Sequence, residues 1–262
     1  MTRRDDKTIL VVNVGNAHTR FGVLTGDELL GSWGGTTPAL ITRDEARSVA
    51  RSVVREILGE SGALDGAILS CVVPSQADAW TQALSELSAT RALVVGPGLR
   101  SGVRMRQDDP SGVGADRVAN VVAAHERYGA PVVVVSLGTT TNIEAVDPSG
   151  AFAGGIIAPG LELGVEALGR AAARLPMVEL RVPASVLGKN TRDAMQSGVV
   201  LGEVARIDGL VDMVLDELGC DAPVVVTGAN ANLVAGLLRH EATVDESLVL
   251  RGLARIWHQN RK

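Results

Sequence analysis

The phrase Ile9-Leu10-Val11-Val12-Asn13-Val14-Gly15-Asn16-Ala17-His18-Thr19 returns as Val132-Val133-Val134-Val135-Ser136-Leu137-Gly138-Thr139-Thr140-Thr141-Asn142. Each copy is a run of branched aliphatic residues that breaks at a glycine among small polar side chains. Asn13 and Ser136 hold the same place in the two copies, nearly half the 262-residue chain apart. A strand and its turn repeated at that distance point to two related halves rather than one doubly wound sheet. Glycine has no Cβ, so such a turn lets backbone N–H groups and hydroxyls approach a phosphate. Neither copy carries an acid at the strand end, where a hydrated divalent cation favours one; Asn13 and Ser136 stand there instead.

The remaining bulk features narrow the choice of function. A chain of this length with 46% hydrophobic residues has ample material for a core and is not disordered. A formal charge of −5 argues against a nucleic-acid surface, and only six aromatics (Phe21, Trp33, Trp80, Tyr128, Phe152 and Trp257) leave little for base stacking. Cys71 and Cys220 have no metal or redox spacing and read as buried free thiols. The charged start, Met1 to Lys7, precedes an apolar run too short for a signal peptide or a membrane span, so a soluble, cytoplasmic protein is expected.

Periodicity predicts strands at 8–14, 19–24 and 28–33, with Gly26-Asp27 at a hairpin turn. Thr42-Arg43-Asp44-Glu45 reads as a capping box opening a helix that stops at Gly59. A strand over 67–73 ends at Pro74, Ser75 is expected to cap a helix to about Leu87, and 92–95 reads as another strand. A loop over 99–112 is followed by a helix over 113–128. The second half repeats the order, with strands at 131–137 and 142–146. Helices are expected at 160–174, 196–218 and 229–239, with a strand at 223–227. Alternating strands and helices indicate α/β layers.

Four places offer chemistry. The hydroxyls of Thr139, Thr140 and Thr141 would be wasted in a plain hairpin and suit phosphate. Gly114-Ala115-Asp116-Arg117 opens the 113–128 helix. Asp116 there either complements the helix dipole or acts as a general base that orients a substrate hydroxyl, ionised by the helix end, beside Arg117. Phe152 to Gly160 reads equally as a strand–helix connection or a substrate loop, and Leu187-Gly188-Lys189-Asn190-Thr191 as a polar knot with Thr191 as helix cap. Thr227-Gly228-Ala229-Asn230 ends a strand where an adenine or ribose can rest. His18 alone of the histidines lies near a motif; His125, His240 and His258 read as surface or core residues, no pair has metal spacing, and no hydrolase triad is present.

These motifs, taken in order with Cys71-Val72-Val73-Pro74, Gly96-Pro97-Gly98, Leu175-Pro176, Ala194-Met195-Gln196-Ser197-Gly198 and Leu250-Arg251-Gly252-Leu253, resemble type III pantothenate kinase over almost the whole chain. That family is part of the acetate and sugar kinase/Hsp70/actin superfamily. The resemblance implies an α/β fold of two ribonuclease H-like lobes, 1–112 and 113–262, a duplicated actin-like ATPase fold with a nucleotide cleft between them. It also implies a homodimer, with no nucleic-acid or membrane partner, and phosphoryl transfer from ATP to pantothenate, the first step of coenzyme A synthesis. On this resemblance Asn13, Val14, Gly15, Asn16, Ala17, His18, Thr19 and Arg20, with Thr139, Thr227 and Gly228, correspond to ATP contacts. Gly114, Ala115, Asp116 and Arg117, with Gln107 and Thr191, correspond to pantothenate contacts, and Asp116 is the proton acceptor. The implied cofactors are ATP with Mg²⁺, and NH₄⁺ or K⁺ at the place of Ser136.

The chain departs from the family pattern at five positions. Asn13 and Ser136 replace the acids that begin the two phosphate motifs, Gln107 replaces a Tyr, Asp109 an Asn, and Ala229 a Gly. Loss of each charged contact is expected to cost about 1–3 kcal/mol of transition-state stabilisation, or roughly ten- to a hundredfold in rate. The alternative reading is a catalytically weakened paralogue that binds nucleotide or a pantothenate-like ligand in a regulatory or scaffold role. A third is a related kinase for another small hydroxyl substrate.

Overall fold

A computed structural model describes residues 7–171 and 175–261. The charged start at 1–6 and the expected helix end at 172–174 therefore lie outside the described residues. Two compact units form: residues 1–104, 108–123 and 247–262 make the first, and 105–107 and 124–246 the second. The chain is thus not divided by a single cut at 112/113, because its C-terminal helix returns to the sheet of the first unit.

In the first unit β1 (Thr8–Val14), β2 (His18–Thr25), β3 (Glu28–Thr36), β4 (Gly66–Cys71) and β5 (Leu93–Val94) form one sheet in the order β3-β2-β1-β4-β5. The first three strands are antiparallel neighbours, while β4 runs parallel to β1 and to β5. Parallel neighbours need crossover connections, supplied by α1 (Arg43–Leu58) before β4 and α2 (Pro74–Leu87) before β5. α1 starts as its sequence requires: Thr42 Oγ1 accepts from Glu45 N–H while the Glu45 carboxylate accepts from Thr42 N–H. α2 begins one residue before the expected cap; Pro74 is its first residue, Val73 precedes it, and Ser75 lies inside the helix. Pro suits a first turn because its missing N–H would have no intrahelical partner.

Alternation along the strands sets the layers. Leu10, Val12 and Val14 of β1 and Ala67, Leu69 and Cys71 of β4 join Ala46, Ala50 and Val53 of α1 and Trp80 and Leu84 of α2 in one core. Ile9, Val11 and Ile68 lie on the opposite face, fully buried. That face is covered by α8 (Leu248–Asn260). The sequence reading assigned no helix there. α8 touches the sheet so closely that a Cβ on Gly66 would sit 2.4 Å from the Trp257 ring. Residue 252 is equally constrained, since a Cβ there would lie 1.9 Å from the carbonyl oxygen of Ala119 in α3 (Ala115–Tyr128).

The second sheet has β6 (Arg104–Met105) at its edge and otherwise β7 (Val132–Leu137), β8 (Thr140–Val146), β9 (Ala151–Pro159), β10 (Val224–Gly228) and β11 (Ala242–Val244), in the order β11-β10-β7-β8-β9-β6. β9-β8-β7 are antiparallel neighbours, and β10 is parallel to both β7 and β11. Strand for strand this repeats the first sheet, so the sequence repeat is a repeat of topology, with β6 added outside it. Its helices are α4 (Leu161–Ala171), α5 (Thr191–Gln196), α6 (Gly202–Leu218) and α7 (Ala231–Ala235). Val133, Val135 and Leu137 of β7 share a core with Val204, Ile207 and Val211 of α6 and with Val234 of α7.

Several local expectations are corrected. The 99–112 segment is not all loop, because β6 and a 3₁₀ turn at Pro110–Gly112 fall within it. Phe152 to Pro159 lie in β9 rather than in a connection. The 196–218 helix is three pieces: α5, a π turn at Ser197–Leu201, and α6. The cap of α5 is Asn190, whose side chain accepts from Asp193 N–H, and Thr191 is the first helical residue. The 229–239 helix is confined to α7, and β11 follows it. Cys71 and Cys220 are free but half-buried rather than fully buried.

Because Trp257 is 1% exposed and packed on Gly66, Trp257→Ala should lower unfolding free energy by about 3–5 kcal/mol. Urea melts of the variant and the parent protein measure this directly.

Candidate functional site

The Gly15 turn joins β1 to β2. Gly15 N–H donates to His18 O at 2.9 Å, and a Cβ at position 15 would lie 2.9 Å from that same oxygen. The turn is buttressed by Thr37, which sequence reasoning passed over. Its hydroxyl donates to Gly15 O at 2.8 Å and lies 2.9 Å from Thr19 Oγ1, and its N–H donates to Ala17 O. Thr19 is thereby buried as a structural hydroxyl, while Asn16 and His18 remain exposed. Thr37 sits just past β3, two strands along, so only the β2–β3 pairing brings it to the turn.

Asn13 is beside Ser70 in the parallel β1–β4 register. By alternation both side chains lie on the α8 face, away from the α1–α2 core. Asn13 Oδ1 and Ser70 Oγ are buried and have no hydrogen-bond partner within the protein. Buried oxygens left this way cost about 1–3 kcal/mol each, so the pair is suited to an external donor. Ser70 is a second site residue the sequence did not reveal, because its strand reads as uniformly apolar and only the register sets it next to Asn13.

The matching place in the second unit is built alike. Ser136 pairs with Thr227 of β10 and with Asn142 of β8. Thr227 is buried, and Gly228 adopts φ 105° with so little room that a Cβ would lie 2.1 Å from Leu137 O. A side chain there would meet both a clash and an unfavourable backbone. Ala229 N–H donates to the same Leu137 oxygen at 3.0 Å, so the Thr227–Ala229 loop and the Gly138 turn are one assembly. Of the three consecutive threonines, Thr141 donates to Glu203 at 2.5 Å and Thr140 to Asn142 at 3.2 Å. Among the described residues the Thr139 hydroxyl has no protein partner, so of the three hydroxyls expected to suit phosphate Thr140 and Thr141 are committed within the protein and Thr139 is left.

Asp116 lies in the first turn of α3, after Gly114. Its Oδ1 accepts from Arg117 N–H at 2.9 Å and comes so close to Gly114 that a Cβ there would be 2.7 Å away. Burial raises the Asp116 carboxyl above its ordinary value, opposed by the N–H groups of Arg117 and of Asp116 itself and by the Arg117 charge. The helix-end N–H groups alone would lower this carboxyl, but desolvation outweighs them and the net direction is upward. The preceding Asp109 has a structural task, accepting from Ser111 N–H and Oγ, and those bonds lower its carboxyl.

Gln107 and Thr191 both belong to the second unit. Gln107 Nε2 donates to Phe152 O at 3.1 Å, while its Oε1 is buried without a protein partner. Thr191 is exposed at the start of α5. The knot before it is tight, since a Cβ on Gly188 would lie 2.2 Å from Ala194 N. Among the described residues no group of three or more His, Cys, Asp or Glu is placed to hold a metal ion, and no helix is long and apolar enough to cross a membrane.

Two similar sheets, each ending its first strand in a glycine turn beside polar residues, make an actin-like fold of two units. A ROK hexokinase from Thermus thermophilus shares it: TM-score 0.53 at 12% identity, with 95% of this chain and 98% of that chain covered. The family is given by sequence. The family model described as Type III pantothenate kinase matches residues 9–213. A type III pantothenate kinase of Brevibacillus brevis is 37% identical over 97% of this chain and 99% of its own length. One from an Exiguobacterium species is 38% identical over 97% of this chain and 100% of its own. The chain belongs to the type III pantothenate kinase family.

If Asp116 is the proton acceptor, Asp116→Asn should slow turnover by roughly 10²–10⁴-fold. For the parent protein, kcat/KM should rise with pH through a midpoint above the ordinary aspartate value of about 4. The folded state binds this proton more tightly than the unfolded chain. Its stabilising contribution is therefore present at acid pH and is lost as pH rises through the raised value. Asp116→Asn should accordingly melt at or above the parent temperature at pH 7, despite its lost activity; a variant that loses both would make Asp116 a structural residue.

Proposed function

We propose that this chain transfers the γ-phosphoryl group of ATP to the primary hydroxyl of pantothenate, giving 4′-phosphopantothenate. The observation that carries this reading is the Asp116 carboxylate. Partly desolvated at a helix start next to Arg117, it has a raised proton affinity suited to receiving a hydroxyl proton. The Gly15 and Gly138 turns present backbone N–H groups and the Thr139 hydroxyl to nucleotide phosphates, and the Thr227–Ala229 loop takes the adenosine. Gly114, Ala115, Arg117, Gln107 and Thr191 hold pantothenate, with Arg117 supplying positive charge for its carboxylate. As the hydroxyl oxygen attacks phosphorus, its proton passes to Asp116 and the bond to ADP breaks.

The unpartnered Asn13 Oδ1 and Ser70 Oγ fit the water shell of a divalent cation, since both can accept hydrogen bonds from bound water. Mg²⁺ bound there would neutralise phosphate charge. Ser136 offers only a neutral hydroxyl at the place proposed for NH₄⁺ or K⁺. Exposed Val182, Val186 and Leu187 on the segment before α5 support a homodimer that would cover them. We assign the protein to the cytoplasm, where ATP and pantothenate meet.

Neutral residues at 13 and 136 favour a second reading, a catalytically weakened paralogue that retains ligand binding. A coupled assay with ATP, Mg²⁺, pantothenate and either NH₄⁺ or K⁺ decides between them, with 4′-phosphopantothenate expected as product. A folded protein giving none under any cation would leave the paralogue. In the active case Asn13→Asp combined with Ser136→Asp should raise kcat by about tenfold or more; an unchanged or lower rate would mean that the site operates with neutral oxygens.

A further inference from the structure

Glu203, in the first turn of α6, is 5% exposed beside the aliphatic core residues Val204, Ile207 and Val211, and the other buried carboxylate of that helix, Asp208, is held by Arg239. A carboxylate is costly in such a place and persists only when paired. Its two oxygens are both used. Oε1 accepts from Thr141 Oγ1 at 2.5 Å, and Oε2 pairs with Arg206, whose same Nη2 also donates to Pro159 O at 2.5 Å. Thr141 is in β8 and Pro159 in β9, and the final β8–β9 pairs are Thr140 with Pro159 and Thr141 with Ala158. The Glu203–Arg206 couple therefore grips both strands within two residues of Thr139.

The turn itself is held from its other side. Gly138 N–H donates to Thr140 O and Gly160 N–H to Thr139 O, both at 3.1 Å. A Cβ on Gly160 would come within 2.4 Å of Gly138 O and 2.7 Å of Thr139 O. Any shift of the β8 and β9 ends thus moves the Thr139 backbone directly. An aliphatic residue at 203 would extend the core more cheaply but would leave Thr141 and Pro159 unlinked.

We infer that Glu203 and Arg206 are positioning residues for the nucleotide: they fix the Thr139 turn in the geometry that meets phosphate, without touching the ligand themselves. This rests on the reading of Thr139 as a nucleotide contact. The decisive quantities are the Kd of a non-hydrolysable ATP analogue with Mg²⁺, by calorimetry, and the separate KM values for ATP and pantothenate. In Glu203→Ala the analogue should bind roughly tenfold more weakly and KM for ATP should rise in step, with KM for pantothenate unchanged. Glu203→Gln keeps an acceptor for Thr141 and should recover most of the loss.

Should Glu203→Ala fail to fold, Thr141→Val, which removes the same hydrogen bond at similar volume, should weaken the analogue about threefold or more. Unchanged analogue affinity in a folded variant overturns the inference, as does an equal rise in both KM values. A parent protein that binds the analogue but does not phosphorylate pantothenate overturns the functional reading alone, and the Kd comparison still decides this one. A parent protein that does not bind the analogue overturns both.

Discussion

Parallel pairing of β1 with β4, and of β7 with β10, is the constraint from which the site follows. Parallel strands cannot be joined by a hairpin, so helices must cross over and cover the sheet, which buries the strands on both faces. The ends of those strands are where the backbone leaves the core. In each unit the register sets two polar side chains next to each other at that edge, Asn13 with Ser70 and Ser136 with Thr227. A slip of one residue would turn each of them into the aliphatic core and bring an apolar neighbour out in its place. The core therefore enforces the site: Val12 and Val14 cannot stay packed on α1 and α2 unless Asn13 faces the other way.

The two units use the same scaffold for different chemistry. In the first, the buried oxygens beside the Gly15 turn are unsatisfied within the protein, and the turn is stiffened by Thr37. In the second, the Gly138 turn is fused to the Thr227–Ala229 loop through Leu137 O and braced by Gly160. The polar residues that surround this second turn are mostly spent on one another. Thr140, Thr141, Glu203 and Arg206 are all committed to protein partners, which leaves Thr139 as the uncommitted hydroxyl of the threonine run. Such division of labour, with some groups fixing geometry and one presented outward, is what preorganised binding requires.

Asp116 illustrates how burial changes a residue's role. On spacing alone a carboxylate in a first helical turn reads as a partner of the helix dipole, with a depressed proton affinity. Burial of the carboxyl reverses the sign, even with Arg117 adjacent. Asp109 is only seven positions earlier, but it is exposed and satisfied by Ser111, and its carboxyl shifts the opposite way. Two aspartates in one short stretch thus differ because one is desolvated and the other hydrogen-bonded, which residue type cannot express.

The sequence by itself determined the duplication, the strand–glycine turn–strand opening of each half, and the capped start of α1. These are local: they depend on aliphatic runs, glycine breaks and capping residues a few positions apart. The family likeness was legible for the same reason, because its motifs are contiguous. Tertiary structure alone decided that α8 closes the first sheet, since Gly252 and Gly66 declare their purpose only once Ala119 and Trp257 stand against them. It also decided that Ser70, Thr37, Glu203 and Arg206 belong to the two turns. Each reaches its partner across strand register or from a distant helix, and such contacts carry no periodic or compositional signal. Local rules thus specified the strands and turns, while burial and register, which exist only in the folded chain, assigned their side chains to work.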